Sequence, residues 1–312
     1  MDPSDLEGRL LFAIPKKGRL NEQCMKLLEG ADIKFHRRNR LDIALSSNLP
    51  LALIFLNASD IAKFVGEGNV DLGITGQDMV AENEVNVEEL LPLGFGKCDL
   101  CVQVPISSGI SSVDQLVGKR IVTSFESVVN KYFVAREVGE SHESACKLLF
   151  DCKKAGKPEK TSVNYVGGSV EAACALGLAD AIVDLVESGE TMRAAKLTPI
   201  ATLLTSQASL ICNVQKHNTN PLIETIRRRI QGVITAQKFV LVTYNIQRAQ
   251  LSKAVKITPG KKAPTVSPLE DDLWVSVSSM ILRKDCASIM DQLSDIGAQD
   301  ILVMSLENCR VN

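Results

Sequence analysis

The sequence predicts an α/β protein in three parts, two lobes linked by a double crossing and a smaller terminal module. Two observations carry this. Through the first two thirds of the chain, short apolar runs are each followed by a small-residue turn and a helix start; after a helix at Pro221–Lys238 the order becomes β, α, β, β, α, β. Strand–turn–helix repeats build open sheets that bind ligands beyond the carboxyl ends of their strands. The terminal order is that of a ferredoxin-like module.

Leu10–Ile14 is a short apolar strand, followed by Pro15-Lys16-Lys17-Gly18-Arg19 and a helix capped by Asn21. Three cations and a glycine between strand and helix suit a polyphosphate, with a solvated loop as the plainer reading. Arg40 and Asp42 precede a strand, Leu51–Leu56 is apolar enough to be a buried one, and Ser59 and Asp60 open the next helix. Leu72–Ile74 leads through a Thr75-Gly76 turn into another helix. Lys119–Thr123 is a strand, and Thr123-Ser124-Phe125-Glu126 has capping-box spacing before a helix to about Val138. Val163–Val166, a Gly167-Gly168-Ser169 turn and a helix over Ser169–Gly177 carrying Glu171 complete the pattern. Segments near Ser107-Ser108-Gly109 and Lys196–Leu204 are expected to cross between lobes, with Ala208–Asn213 returning as a first-lobe strand. This sets lobe I at residues 1–105 plus 195–216, lobe II at 106–194 and the module at 217–312. The cleft between the lobes takes ligand from both sides and closes on it.

The stretch DAIVDLVESGETM, Asp180 to Met192, concentrates the chemistry. As a strand it puts Ala181, Val183 and Leu185 on one face and Asp180, Ile182, Asp184 and Val186 on the other. Two carboxylates on one face of an apolar strand need a partner. The chain then turns at Ser188-Gly189 and restarts as a helix near Glu190-Thr191. Unpaired backbone N–H groups and the helix dipole make such a turn an anion cradle, and the acids before it suit sugar hydroxyls or a divalent metal. A phosphorylated sugar matches both. The plainer reading is a common Ser-Gly turn with Asp180 as a turn residue; Glu187 and Glu190 carry the wrong sign for phosphate and must point away.

A net charge of -2 argues against a nucleic-acid surface. The acidic, polar start lacks a signal-peptide pattern and no apolar run approaches a membrane span, so a cytoplasmic protein is expected. Nine irregularly spaced cysteines read as reduced thiols. Cys98 and Cys101 lie in a segment that runs into the strand-like LCVQV, where residues three apart face opposite ways, and His36, His142 and His217 lie in polar surroundings, so no metal–thiolate site is expected.

In the module, Pro221–Lys238 is an amphipathic helix carrying Arg227-Arg228-Arg229, read as a solvated face or subunit contact. Strands at Phe239–Tyr244, about Ala263–Ser267, Trp274–Met280 and Ile301–Leu306 alternate with helices at Gln247–Val255 and Asp285–Ile296. Trp274 is expected in the core.

Three stretches, LLFAIPKKGRL, FVGEGNVDLGITG and SVEAACALGLADAIVDLVESGETM, together resemble the long-form ATP phosphoribosyltransferases that open histidine biosynthesis, most closely fungal members. The resemblance implies a periplasmic-binding-protein-like (type II) catalytic core and a ferredoxin-like regulatory domain in a homohexamer built from dimers. It implies that N1 of ATP is joined to C1 of 5-phosphoribosyl 1-pyrophosphate with Mg²⁺ present and that histidine inhibits. Glu187, Ser188, Gly189, Glu190 and Thr191 would then bind the 5′-phosphate, Asp180 would also be among the substrate-binding residues, and Glu171 and Asp184 would hold the ribose hydroxyls and serve in catalysis. First-lobe loops, with Lys16, Lys17, Gly18, Arg19, Thr75 and Gly76, would take ATP and pyrophosphate; Thr123 and Ser124 lie on the equivalent second-lobe loop. Lys17 and Arg19 are the expected catalytic cations. The histidine pocket maps to Asn245, Lys261, Thr265, Met280 and Asp300. Bacterial long forms carry an acid where this chain has Asn245 and a small apolar residue where it has Asp300. A non-enzymatic two-lobe binding protein, a transcription regulator and a phosphoribosyltransferase for another base are the rival readings.

Overall fold

A computed structural model describes residues 3–37, 41–138, 161–217 and 219–310; Arg40, His142, Cys146 and Cys152 lie outside them. The chain divides into two compact units, residues 1–24 with 35–219, and residues 25–34 with 220–312.

The first unit holds two sheets. One is built from β1 (Leu10–Pro15), β2 (Ile43–Leu45), β3 (Leu51–Leu56), β4 (Leu72–Gly76), β5 (Val87–Pro92) and a late strand at Ala208–Asn213, in the order β2, β3, β1, β4, late strand, β5. Helix α1 (Arg19–Gly30) follows β1, α2 (Ala58–Gly66) follows β3 and α3 (Gln77–Asn83) follows β4. β1 runs parallel to β3 and β4, and the late strand is antiparallel to β4 and β5. Parallel strands covered by helices are apolar on both faces, which is why LALIFL reads as an unbroken run.

The second sheet contains β6 (Cys98–Pro105), β7 (Arg120–Thr123), β8 (Ser162–Tyr165), β9 (Ala181–Val186) and β10 (Leu197–Ser206), in the order β10, β6, β9, β7, β8. Helix α4 (Glu126–Val138) follows β7, and one-turn helices α5 (Ala172–Ala175) and α6 (Glu190–Ala194) flank β9. Ala208–Asn213 is thus β11. Setting aside β2, which pairs antiparallel with β3 at the edge, the orders β3, β1, β4, β11, β5 and β8, β7, β9, β6, β10 follow one plan, with β11 and β6 the strands that enter from the other lobe. This is the two-lobe, type II periplasmic-binding-protein-like arrangement.

The crossings are not where the sequence suggested. Chain passes from β5 to β6 through residues 93–97 and returns at Gln207. Ile106–Ser108 is a 3₁₀ turn after β6, and Leu197–Ser206 is a strand paired antiparallel with β6. The lobe boundary drawn at 105 falls one strand late, and residues 197–206 belong to the second sheet; polar Gln103, Thr202 and Thr205 on these strands resemble linker more than core.

Three local expectations also change. Helix α1 starts at Arg19, so Asn21 is no cap; its amide donates to the Pro15 carbonyl at 2.6 Å. The Thr123–Glu126 spacing forms no capping box: the Ser127 and Val128 amides donate to the Glu82 carboxylate at 2.9 and 3.1 Å. The helix expected over Ser169–Gly177 shrinks to α5, because Ser169 (φ 52°) and Gly177 (φ 70°) are left-handed and end it on both sides.

The second unit contains α7 (Pro221–Lys238), which is capped by the Asn220 side-chain oxygen (Oδ1) accepting from the Leu222 backbone amide at 3.0 Å. Then follow β12 (Phe239–Gln247), α8 (Leu251–Ile257), β13 (Thr265–Pro268), β14 (Trp274–Leu282), α9 (Cys286–Asp295) and β15 (Gln299–Ser305). The sheet order β13, β14, β12, β15, all antiparallel, is the ferredoxin-like one. Its compact unit begins at Asn220, three residues after the expected 217, and takes in residues 25–34. Val240, Val242, Tyr244, Val275 and Val277 form the core with Ala254 and Leu293. Trp274 is not in it. Even and odd positions of β14 alternate between faces, and Trp274 is half-buried on the face opposite Val275 and Val277.

Candidate active site

β9 is the spine of the site. Ala181 and Val183 enter one core cluster and Ile182 another, so Asp184 shares the Ile182 face, as the alternation predicts. Asp184 lies opposite Cys101 of β6. Its carboxylate accepts from the Leu185 amide at 2.8 Å. Burial pushes its pKa up, the Leu185 bond works against this, and the charge of Glu171 raises it further.

Beyond Val186 the chain reverses. Gly189 is left-handed (φ 72°), and a Cβ there would come within 2.9 Å of the Arg193 guanidinium, which donates to the Ser188 carbonyl at 3.1 Å. The positive φ favours glycine here. The Ser188 hydroxyl accepts from the Glu190 amide at 3.4 Å, bending the loop toward the start of α6.

A cavity of about 310 Å³ lies over this loop and gathers Glu171, Asp184, Glu187, Ser188, Gly189, Glu190 and Thr191 with Arg19. Arg19 donates to the Glu187 carboxylate at 3.1 Å, an exposed pair that solvent screens. A second cavity of about 430 Å³ shares Arg19, Leu185 and Glu187 and extends over Gly76 of the first lobe. The two form one cleft at the carboxyl ends of β4 and β9.

Other expected residues have different duties. Asp180 precedes β9 at its opposite end and is bound by Arg120 through Nε (3.2 Å), Nη2 (3.1 Å) and the backbone amide (3.0 Å). That side-chain bond leads the causes holding its carboxyl below the usual range. Thr75 is fully buried, donating to the Ala58 carbonyl at 2.9 Å. Thr123 is likewise buried, its hydroxyl donating to the Val183 carbonyl at 2.8 Å and accepting from the Phe125 amide at 2.9 Å. These three are structural in this arrangement. Ser124 is half-buried beside Thr123. Lys16 donates to Asp42 at 2.8 Å, while Lys17 and the left-handed Gly18 are exposed on the same loop.

The structure adds residues that sequence reading missed. Buried Gln103 donates to the Asp184 carbonyl at 3.2 Å, fixing that strand segment from behind. Asp78, Lys97 and Cys98 line the second cavity. Asp78 is buried, and its carboxylate accepts from the Ser206 hydroxyl at 2.6 Å. A polar Gln103 inside an apolar strand was the one readable signal. Burial pushes the Cys98 thiol up to about 11, with the Asp78 charge adding to it, so Cys98 is a protonated thiol and not a nucleophile at neutral pH.

In the second unit, Lys261, Thr265 and Met280 line one cavity of about 890 Å³. The Asn245 amide donates to the Asp300 carboxylate at 2.9 Å across β12 and β15, where the pairing shifts register and Asp300 is left-handed (φ 50°). No helix among the described residues is long and apolar enough to cross a membrane.

Fold and cleft define a two-lobe α/β ligand-binding core that carries a ferredoxin-like module. Family models narrow this: ATP phosphoribosyltransferase matches residues 57–232, and the C-terminal domain of the same family matches 236–308. The ATP phosphoribosyltransferase of Yarrowia lipolytica is 55% identical over 312 residues, covering 99% of both chains. Those of Schizosaccharomyces pombe and Saccharomyces cerevisiae are 53% and 51% identical, covering 98% of each chain. The chain belongs to the ATP phosphoribosyltransferase family. In the ATP phosphoribosyl transferase (HisG:HisZ) complex from Thermotoga maritima, one chain shares the fold at TM-score 0.55 and 23% identity, over 71% of this chain and 98% of that one.

Proposed function

We propose that the cleft around β9 performs the family's reaction with a specific division of labour. The chain is an ATP phosphoribosyltransferase of histidine biosynthesis, joining N1 of the ATP adenine to C1 of 5-phosphoribosyl 1-pyrophosphate and releasing pyrophosphate. The supporting observation is the cavity that brings Glu171, Asp184 and residues 187–191 together with Arg19.

Adenine N1 is unprotonated at neutral pH, so the reaction needs positioning rather than a general base. The loop 187–191 receives the 5′-phosphate on backbone N–H groups and the Ser188 and Thr191 hydroxyls. Glu171 and Asp184 hold the ribose hydroxyls, and the Asp184 charge steadies the positive character growing at C1. ATP occupies the adjoining cavity beside Gly76 and Asp78. Arg19, released from its exposed pair with Glu187, stabilises the departing pyrophosphate, with Lys16 and Lys17 behind it on the same loop.

The donor set fits Mg²⁺. Four carboxylates against Arg19 make the cavity acidic toward a polyanion, and Mg²⁺ favours one or two carboxylates plus substrate phosphates. Glu171 and Asp184 would hold it with the substrate, and the ion would supply charge neutralisation at the pyrophosphate.

The module takes histidine at Lys261, Thr265, Met280, Asn245 and Asp300. The Asn245–Asp300 bond supports a carboxylate that has moved across the pocket and still meets the effector's amino group. The working assembly is a homohexamer built from dimers, in the cytoplasm.

The test is direct: mix protein, ATP, 5-phosphoribosyl 1-pyrophosphate and Mg²⁺, follow the adduct's absorbance, then add histidine. Adduct should require all four components and fall with histidine, and Asp300→Ala should relieve inhibition while sparing turnover. Full inhibition of that variant would overturn the effector assignment. A crystal soaked with 5-phosphoribosyl 1-pyrophosphate showing residues 187–191 empty would overturn the catalytic one.

A further inference from the structure

Arg227-Arg228-Arg229 is the chain's only run of three consecutive cations, and neither cavity of the catalytic cleft uses it. On α7 the three diverge. Arg227 donates to the Glu224 carboxylate from Nε at 2.6 Å and Nη2 at 2.8 Å, and Arg228 from Nε to the same carboxylate at 2.6 Å. Arg229 turns away and donates to the Asp32 carbonyl at 3.0 Å. One carboxylate, its pKa pulled down to about 2 chiefly by Arg227, is shared by two guanidinium groups and stays ionised.

The end of the chain adds a third cation. The Cys309 amide donates to the Gly232 carbonyl at 3.1 Å, and the Asn308 amide to the Gly30 carbonyl at 3.0 Å. This segment lies so close to α7 that a Cβ on Gly232 would come 2.2 Å from the Asn308 side-chain oxygen. Glycine there lets the segment lie down and brings Arg310 beside the arginines. Lys261 is the fourth, its ammonium 5.3 Å from the Phe239 ring centroid. Among the described residues neither Lys261 nor Arg310 has a carboxylate partner. The result is a basin of about 730 Å³ walled by Arg227, Arg228, Lys261 and Arg310, with Gln231 and Thr235 as neutral hydrogen-bonding groups. Four cations face one carboxylate, Glu224, an excess of three positive charges.

We propose that this basin is a second anion site, built for a small molecule with two or more phosphate groups in series. In a chain of phosphates each inner phosphate carries about one negative charge and the terminal one between one and two, so two or three in series match the excess. Guanidinium forks suit phosphate oxygens and leave donors free after pairing with Glu224. The basin is local on an acidic chain, which fits a small anion and not a nucleic-acid track. Lys261 and Arg310 also line the neighbouring cavity that holds Thr265 and Met280. An anion in the basin therefore draws on side chains of that cavity, whether or not histidine acts there.

The test is calorimetric titration of the full-length protein with tripolyphosphate at fixed ionic strength without Mg²⁺. Arg19→Ala, which weakens the catalytic cleft, serves as the background. Binding should persist in Arg19→Ala and weaken about tenfold or more when Arg228→Ala or Arg310→Ala is added, as loss of a bidentate contact predicts. Arg228→Ala alone should keep turnover at saturating substrates. A nucleoside triphosphate that displaces tripolyphosphate would extend the site to nucleotides; failure to displace it would confine the site to inorganic chains. No binding in Arg19→Ala protein would overturn the proposal. So would affinity unchanged by both basin substitutions, including the case where Arg228→Ala alters only the oligomeric state in sedimentation. Arg310, two residues from the chain end, keeps the test valid if Arg228→Ala disturbs α7.

Discussion

Asp180, just before β9, and Asp184, within it, stand four residues apart, and their surroundings are opposite. Asp180 is gripped by Arg120 through two guanidinium nitrogens and a backbone amide, and its acidity is increased. Asp184 is half-buried, and among the described residues its carboxylate accepts from the Leu185 amide; it faces the charge of Glu171, and its acidity is decreased. A carboxylate paired with arginine ties strands together. One kept desolvated and unpaired against a second acid costs folding free energy, and that cost points to ligand chemistry. A structural acid thus precedes the strand and a working acid lies within it.

The comparison breaks most readily at Asp184. Asp184→Asn should lower kcat/KM by about a hundredfold or more, the scale of losing one charge-stabilising group. It should also raise Tm near neutral pH. Because the folded pKa is above the unfolded one, ionising Asp184 removes stability as pH rises through the carboxylate range. Variant and parent should therefore melt together at acid pH, where both side chains are neutral, and separate as pH rises. A variant that melts lower at neutral pH would place Asp184 with the structural acids.

Arg19→Ala should come next. Its partner Glu187 is exposed, so the fold should be unaffected, with unchanged Tm and circular dichroism. Turnover should drop about tenfold to a hundredfold with a smaller change in KM, as expected for a group acting on the leaving pyrophosphate. Near-normal turnover would remove it from the chemistry.

The smallest effect belongs to the other acid. Asp180→Asn should leave kcat unchanged and lower Tm slightly, the more so at low salt. Here the folded pKa is below the unfolded one, so the stabilisation exists above the unfolded value and is lost as pH falls through the folded one. Melts of variant and parent should converge in acid and differ at neutral pH, the reverse order to the Asp184 pair. Loss of turnover with unchanged stability would return Asp180 to the catalytic site.

Much of this was legible. The apolar runs at Leu10, Leu51, Ala181 and Ala208 announce strands because a strand buried on both faces has to be apolar. Ser188-Gly189 announces a turn because Gly189 must adopt a positive φ. The alternation that puts Asp184 on the Ile182 face follows from the two-residue repeat of a strand. What misled was local chemistry read without its neighbours. Asn21 and Thr123 look like caps in isolation, but one finds the Pro15 carbonyl and the other the Val183 carbonyl. The true cap of α4, Glu82, lies some forty residues earlier in the chain, beyond the reach of any spacing rule.

By itself the sequence determined which segments are strands, which turn needs glycine, the βαββαβ order of the module and the acids flanking the 187–191 loop, since these depend on contacts within a few residues. Tertiary structure alone decided that β6 and β10 belong to the second sheet, that Asp180 spends its charge on Arg120, and that Arg19 reaches Glu187. It also decided that the chain end lies against Gly232 and completes the basic basin. Pairings of this kind join residues scores of positions apart, and a charge acquires its role only when folding settles which opposite charge, or how little water, stands beside it.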